Sequence, residues 1–148
     1  MIKDVVVIGG GASGLAAAIS AKKRSKEVLL IEREKELGGI LNQCIHNGFG
    51  LEVFKEEYTG PEYAYKFIEE FKELEIEHML NATVIKLDKL EEIFEITLSS
   101  VEQGLSVIKS KTVIISSGCY ERTRGQIMMP GDRPRGVITA GSAQRYLN

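Results

Sequence analysis

Cysteine, proline, net charge and long apolar runs are all scarce in this sequence. Two cysteines in 148 residues exclude a disulfide scaffold and point to thiols in a reducing compartment. The 19 basic and 21 acidic residues leave a formal net charge of −2. So even a balance offers no general attraction for nucleic acid or an acidic membrane surface. No run reaches the roughly 18 apolar residues that a membrane-spanning helix requires. Val5–Ala21 has the look of a secretory apolar region. However, Asp4 directly precedes it, Lys3 is the only nearby base, and Gly9-Gly10-Gly11 would break a helix there. The expectation is one ordinary domain with a real core, in a cytoplasmic protein. Three prolines stand against 15 glycines, so tight backbone turns are expected, and the placement of the glycines carries information.

Val5–Ile8 is a β-branched run ended by glycine, the pattern of a buried strand. Ala12–Arg24 follows as an alanine-rich helix with Leu15 and Ile19 on one face. Val28–Ile31 is a second buried strand, which completes a βαβ unit with parallel strands. Gly38–Gly60 is a long connection with five glycines, of a length that usually signals function. Pro61 opens a helix to about Leu74, with Tyr65, Ile68 and Phe71 at helical spacing. Short strands are predicted at Ile76–Leu80 and Thr83–Leu87. Ile93–Leu98 and Leu105–Ile108 form a hairpin or meander around Gln103-Gly104. Val113–Ile115 is a further strand, wholly apolar and so expected to be covered on both faces. Val137-Ile138 forms a last strand or turn before a helix from Thr139. The fold class is α/β, a Rossmann-type parallel sheet with a small β meander.

Gly9-x-Gly11-x-x-Gly14 lies between the first strand and the first helix, and that position matters more than the letters. The first glycine permits the tight turn, the second lets a pyrophosphate approach the backbone, and the third, with Ala18 one turn on, lets helix and sheet pack closely. The N–H groups at the helix start, from Ala12 and Ser13, and the helix dipole then face the phosphates. Glu32 ends the second strand, where an acid can hold adenosine ribose hydroxyls and would repel a 2′-phosphate. The opposing reading is a glycine turn in a plain βαβ unit with Glu32 merely solvated. Arg33 and the pair Gly38-Gly39 continue the segment. A second glycine pair suits a ligand longer than NAD, although it also suits a helix end or a turn.

VVVIGGGASGLAAA, the IER ending and Gly38-Gly39 resemble the FAD domain of two-dinucleotide-domain flavoproteins, the pyridine nucleotide–disulfide oxidoreductase superfamily. GGILNQCIHNGFG and SSGCYERTRGQIMMPGDRPRGVITAGSAQRYLN are similar to NAD(FAD)-dependent dehydrogenases related to sarcosine oxidase α subunits and to opine or proline dehydrogenases. The resemblance implies FAD as cofactor, with Gly9, Gly11 and Gly14 at the pyrophosphate and Glu32 at the ribose. It implies Arg33 beside the adenosine, Gly38 and Gly39 near the pyrophosphate and ribityl chain, and the backbone of Val84 at the adenine. Ser117-Gly118 would lie near the flavin nucleotide, and Leu41, Asn42 and Gln43 would approach the isoalloxazine.

The departures from that family also matter. Its disulfide reductases carry two cysteines separated by four residues after the glycine pair. Here Cys44 stands alone, so a redox dithiol is not expected. There is no second glycine-rich fingerprint and no late glycine–aspartate segment. The resemblance therefore implies an incomplete FAD/NAD(P)-binding domain, a fragment or truncated gene product. NAD(P)H would act through a missing domain, and a partner subunit or homo-oligomer would complete the protein. Cys44 and His46 are the candidates for catalysis, as a thiolate–imidazole pair, against the alternative of a buried thiol and an ordinary hydrogen-bonded histidine. Cys44, His46, His78 and Cys119 lack the spacing of a zinc site, so no metal is expected. Five arginines against two acids in residues 119–145 could receive a carboxylate or phosphate, or form internal ion pairs. The leading function is an FAD-dependent oxidoreductase present as its N-terminal part. The competing ones are a non-catalytic dinucleotide-binding module and a plain NAD-dependent dehydrogenase domain.

Overall fold

The computed structural model describes residues 2–147. It divides into two units, one ending at Ser117 and one starting at Gly118. In the first unit, β1 (Ile2–Ile8), α1 (Ala12–Lys23) and β2 (Val28–Ile31) form the expected βαβ unit. The two strands run parallel, from Val5 opposite Val28 to Ile8 opposite Ile31. Then come β3 (Asn47–Phe49), β4 (Tyr58–Thr59), α2 (Gly60–Glu73), β5 (Glu77–Met79), β6 (Ala82–Leu90), β7 (Ile93–Ser100) and β8 (Gly104–Ile115). One six-stranded sheet has the order β5-β2-β1-β8-β7-β6, and β3-β4 form a separate ribbon.

Successive residues of β1 and β2 point to opposite faces of the sheet, and both faces are covered. Val7 and Leu30 join Leu15, Ala18 and Ile19 of α1 and Phe71 of α2 in one core. Val6, Leu29 and Ile31 join Ala82, Ile96 and Leu98 of the meander in a second. That double burial explains why Val5–Ile8 and Val28–Ile31 are apolar at every position. Each such side chain contributes roughly 1.5–3 kcal/mol. Tyr65 departs from the expected helix face: it is 57% exposed, and Gly60, Ala64 and Phe71 are the buried residues of α2. The helix begins at a capping box, in which the Thr59 side chain accepts from the Glu62 amide and the Glu62 carboxylate accepts from the Thr59 amide. The Thr59 amide and the Thr59 hydroxyl both donate to the Glu62 carboxylate at 2.8 Å, and together they hold its carboxyl below the usual carboxylate range.

β8 corrects two expectations. Leu105–Ile108 and Val113–Ile115 are parts of one strand of 12 residues. Its first half pairs antiparallel with β7, to Ser110 opposite Phe94. Its second half pairs parallel with β1, from Lys109 opposite Ile2 to Ile115 opposite Ile8. The meander and the parallel sheet are thus one sheet, joined through β8. Val113 and Ile114 pack against the two different cores, as a doubly covered strand should. Ile115 does not, being 64% exposed. Beyond Ser110, β8 has β1 on one side and, among the described residues, no strand on the other.

The glycine-rich connection also contains structure that its sequence did not announce. Gly39–Gln43 is a 3-10 turn, and the β3-β4 ribbon is fixed to α2 by aromatic contacts. Tyr63 of α2 lies 6.1 Å from Phe49 of β3, ring centre to ring centre, and Lys66 Nζ of α2 stands 4.5 Å over the Tyr58 ring of β4.

In the second unit, Val137-Ile138 forms neither strand nor turn, and α3 (Ala140–Leu147) follows. The Thr139 hydroxyl accepts from the Ser142 amide, and the Glu121 carboxylate accepts from the Gly141 amide. Among the described residues of this unit no ion pair forms, contrary to one expectation for the arginines. Arg124 instead donates to the carbonyls of Pro130 and Asp132, both at 3.2 Å, and to that of Gly131. Among the described residues no helix is long and apolar enough to cross a membrane.

Candidate functional site

Three glycines at the β1–α1 junction have three different environments. Gly9 has φ 106, and a Cβ there would lie 2.8 Å from the Ser116 carbonyl carbon, nearer still to its oxygen. Gly14 is buried in the first turn of α1. A Cβ on it would lie 2.9 Å from the Gly9 carbonyl carbon, and again nearer to the oxygen. These two positions bring helix and sheet into direct backbone contact. Gly11 is different: its φ is −76, and a Cβ on it would meet nothing within 4 Å. It is the N-cap of α1, no side chain caps the helix, and no acid lies in the first turn. The exposed first-turn residues Ala12 and Ser13 therefore carry amide donors and the positive end of the helix dipole beside open space. That arrangement fits a phosphate group.

The second glycine pair folds against the first. Gly38 (φ 110) donates its N–H to the Gly10 carbonyl at 2.9 Å, and Gly11 and Gly38 form an isolated parallel bridge. A Cβ on Gly39 would lie 3.0 Å from Gly11 Cα. Two glycine segments distant in sequence thus share one surface.

Glu32 closes the site from below. It is 7% exposed, with Oε2 accepting from the Gly10 amide at 2.5 Å and Oε1 from the Glu34 amide at 2.8 Å. A carboxylate oxygen has two acceptor positions, so each oxygen keeps one for a further donor. Gly10, Glu34 and Leu37 belong to this arrangement, and sequence reasoning did not single them out. For Gly10 the signal was present in the middle of the glycine triplet. A Cβ there would lie 2.6 Å from Leu37 Cδ2 and 3.1 Å from Glu32 Oε2.

Several other expected residues are near. Arg33 is exposed and pairs with Glu34 at 3.4 Å. The Ala82 amide donates to the Glu32 carbonyl at 3.0 Å and the Asn81 amide to the Glu34 carbonyl at 3.0 Å. The start of β6 is thereby tied to the end of β2, two residues before Val84. The β6–β7 register shifts between Val84 and Lys86. Ser116 donates to the Ile8 carbonyl at 2.7 Å, which leads exposed Ser117 past Gly9; Gly118, with φ 70, begins the second unit. In the 3-10 turn Leu41 is buried, Asn42 donates to the Leu37 carbonyl, and Gln43 ends the turn. Two surface clefts, along Lys89–Ile93 and around Lys3, Glu77 and Gln103, include none of these residues.

Cys44 and His46 do not form a pair. The Cys44 thiol donates to the Ile40 carbonyl at 3.4 Å, while His46 Nδ1 is 2.9 Å from the Asn47 carbonyl and its ring lies 5.4 Å from that of Phe49. Cys44 and Cys119 are both free thiols. Thiol titration of the native protein without reductant should count two, and Cys44→Ser should leave nucleotide affinity unchanged. A Cys44–Cys119 bridge, or loss of affinity in the serine variant, would contradict this. Among the described residues no group of three or more His, Cys, Asp or Glu side chains converges as metal ligands would.

Fold and glycine turn together define a Rossmann-like fold of the dinucleotide-binding type. The comparisons with known proteins give the family: residues 4–114 match FAD dependent oxidoreductase, and the chain belongs to it. It is 31% identical over 132 residues to the F subunit of alkyl hydroperoxide reductase in Staphylococcus epidermidis, covering 87% of this chain and 23% of that protein. The counterpart in Staphylococcus aureus is 32% identical over the same coverage. The chain thus spans about a quarter of the length of these curated relatives. Thioredoxin reductase of Lactococcus lactis superimposes with TM-score 0.70 and 26% identity over 82% of this chain and 37% of that one. L-proline dehydrogenase from P. horikoshii superimposes with TM-score 0.72 and 23% identity over 83% of this chain and 24% of that one, a likeness of fold.

Proposed function

We propose that this chain binds FAD and is the N-terminal flavin-binding portion of an oxidoreductase in which hydride passes between NAD(P)H and the flavin. The observation that carries the reading is the open space over Gly11, bounded by the uncapped start of α1 and the Gly38-Gly39 pair. When bound, FAD supplies the redox chemistry; the residues of this chain bind and orient it. The first-turn amides from Ala12 to Gly14 hold the pyrophosphate, with Gly9, Gly11 and Gly14 keeping the backbone close. The free acceptor positions of Glu32 take the ribose hydroxyls, and its charge disfavours a 2′-phosphate. Arg33 flanks the adenosine and the Val84 backbone meets the adenine. Gly38 and Gly39 follow the pyrophosphate toward the ribityl chain, with Leu41, Gln43 and Ser117 on the flavin side.

Titration with FAD, followed by flavin fluorescence, tests the assignment. Saturable binding is expected, and tighter binding of NADP than of FAD would overturn it. Glu32→Ala should weaken FAD by about 1–3 kcal/mol, the scale of hydrogen bonds to a charged group. Glu32→Gln should do the same, because its amide NH2 would face the N–H of Gly10 or Glu34, donor against donor. A glutamine variant with wild-type affinity would remove Glu32 from the site.

The pyridine-nucleotide domain is proposed to lie outside these 148 residues. The second half of β8, which among the described residues has a strand on one side only, also favours a second reading: a dinucleotide-binding module completed by another chain. Mixing the FAD-loaded chain with NADH or NADPH should give no flavin reduction at a catalytic rate. Rapid, saturable reduction would show a complete active site, and would overturn both the placing of the pyridine-nucleotide domain elsewhere and the module reading.

A further inference from the structure

We infer that Asn42 is a positioning residue: it holds the left-handed Gly38-Gly39 turn against the Gly9–Gly14 turn, and through it sets the affinity for the pyrophosphate end of the dinucleotide. This deepens the FAD reading above and rests on it. The family resemblance would place Asn42 toward the isoalloxazine. Its side chain is committed elsewhere.

Asn42 Nδ2 donates to the Leu37 carbonyl at 2.9 Å. Leu37 is a fixed point, since its side chain is 7% exposed and belongs to the core with Val7, Leu15 and Phe71. The carbonyl that Asn42 grips is therefore anchored in the body of the domain. Between them lies Gly38, in a backbone conformation (φ 110) that residues with a side chain rarely adopt. A Cβ on Gly38 would run into Asn42: the three nearest atoms are its Oδ1, Cγ and Nδ2, the last two at 2.9 Å. The missing side chain of Gly38 is the space that Asn42 occupies.

The backbone closes the rest of the ring. Gly38 donates to the Gly10 carbonyl at 2.9 Å, and Leu41 donates to the Gly38 carbonyl at 3.3 Å. Gly10 is in turn held by Glu32. A continuous path therefore runs from Asn42 through Leu37 and Gly38 to Gly10, and Gly39 lies against Gly11 where the pyrophosphate is proposed to rest. Asparagine suits the task because its amide donates while its Oδ1 stays neutral beside Gly38. Aspartate has the same shape but would turn a carboxylate oxygen toward the Leu37 carbonyl, acceptor against acceptor.

The test uses the full chain with Asn42→Ala and Asn42→Asp, titrated calorimetrically with FAD and separately with ADP, which has the pyrophosphate end and no flavin. Both variants should lose affinity for FAD and for ADP by the same factor, about five- to tenfold, as expected for one hydrogen bond. Hydrogen exchange of the Gly38 amide in the ligand-free protein should accelerate, while core amides such as Leu30 keep wild-type protection. Gly38→Ala should lower affinity too, and the double variant Gly38→Ala/Asn42→Ala should lose less than the two separate losses combined, because the clash is with Asn42 itself. Loss of FAD affinity alone would make Asn42 a flavin contact and overturn the inference, as would unchanged affinity for both ligands. If the wild-type chain bound neither ligand, the FAD reading would fail; Gly38 exchange would still decide the hold of Asn42, and unchanged exchange would overturn it. The aspartate variant serves if the alanine variant does not fold.

Discussion

Gly14→Ala should strongly destabilise the first unit. The added Cβ would lie on the Gly9 carbonyl, 2.9 Å from its carbon and closer to its oxygen. Gly9 has nowhere to go. Its N–H donates to the Ile31 carbonyl at 2.8 Å, and Ser116 and Ser117 fill the space that a Cβ on Gly9 would need. The relief open to the chain is to lift α1 from the sheet, which exposes Leu15, Ala18 and Ile19 from the core they share with Val7 and Leu30. Overpacking of this kind costs about 1–3 kcal/mol where neighbours can adjust and more where backbone meets backbone. Against a typical net stability of about 5–15 kcal/mol, a fall in Tm on the order of 10–20 °C is expected. An unchanged melting temperature would show that α1 does not pack on the turn as described.

Gly11→Val should do the opposite. The backbone of Gly11 is in an extended conformation open to any residue, φ −76 and ψ −172, and a Cβ there meets nothing within 4 Å. The ligand-free variant should therefore melt within a few degrees of wild type, as a substitution without strain or lost contact does. Nucleotide binding should be abolished, because the branched side chain fills the space where the pyrophosphate is proposed to approach the amides of α1. Two glycines of one motif are thus predicted to fail in different assays. A motif that served only as a turn would show no such separation.

The βαβ unit was legible because its residues answer to one rule at a time. Val5–Ile8 and Val28–Ile31 are apolar throughout, as strands buried on both faces must be, and the glycines punctuate the chain between them. Glu32 was legible by position alone, but its two backbone partners were not, since the Gly10 and Glu34 amides reach it only once the loops fold. β8 was misread because Ser110-Lys111-Thr112 interrupts its apolar pattern at the point where the strand passes from β7 to β1 as partner. The β3-β4 ribbon was invisible because strands of three and two residues are too short to show a period. Aromatic contacts to α2 hold them instead. For Asn42 the resemblance marked the position, while its hydrogen bond to the Leu37 carbonyl depends on the left-handed turn at Gly38 and was not legible.

The space over Gly11 is the proposed seat of FAD, and titration of the wild-type chain and of Gly11→Val with FAD is the decisive measurement. Fluorescence titration should give saturable binding to wild type and none to the variant, with the ligand-free melting temperatures nearly equal. Equal FAD affinity in the two proteins would contradict the account, whatever else the chain binds.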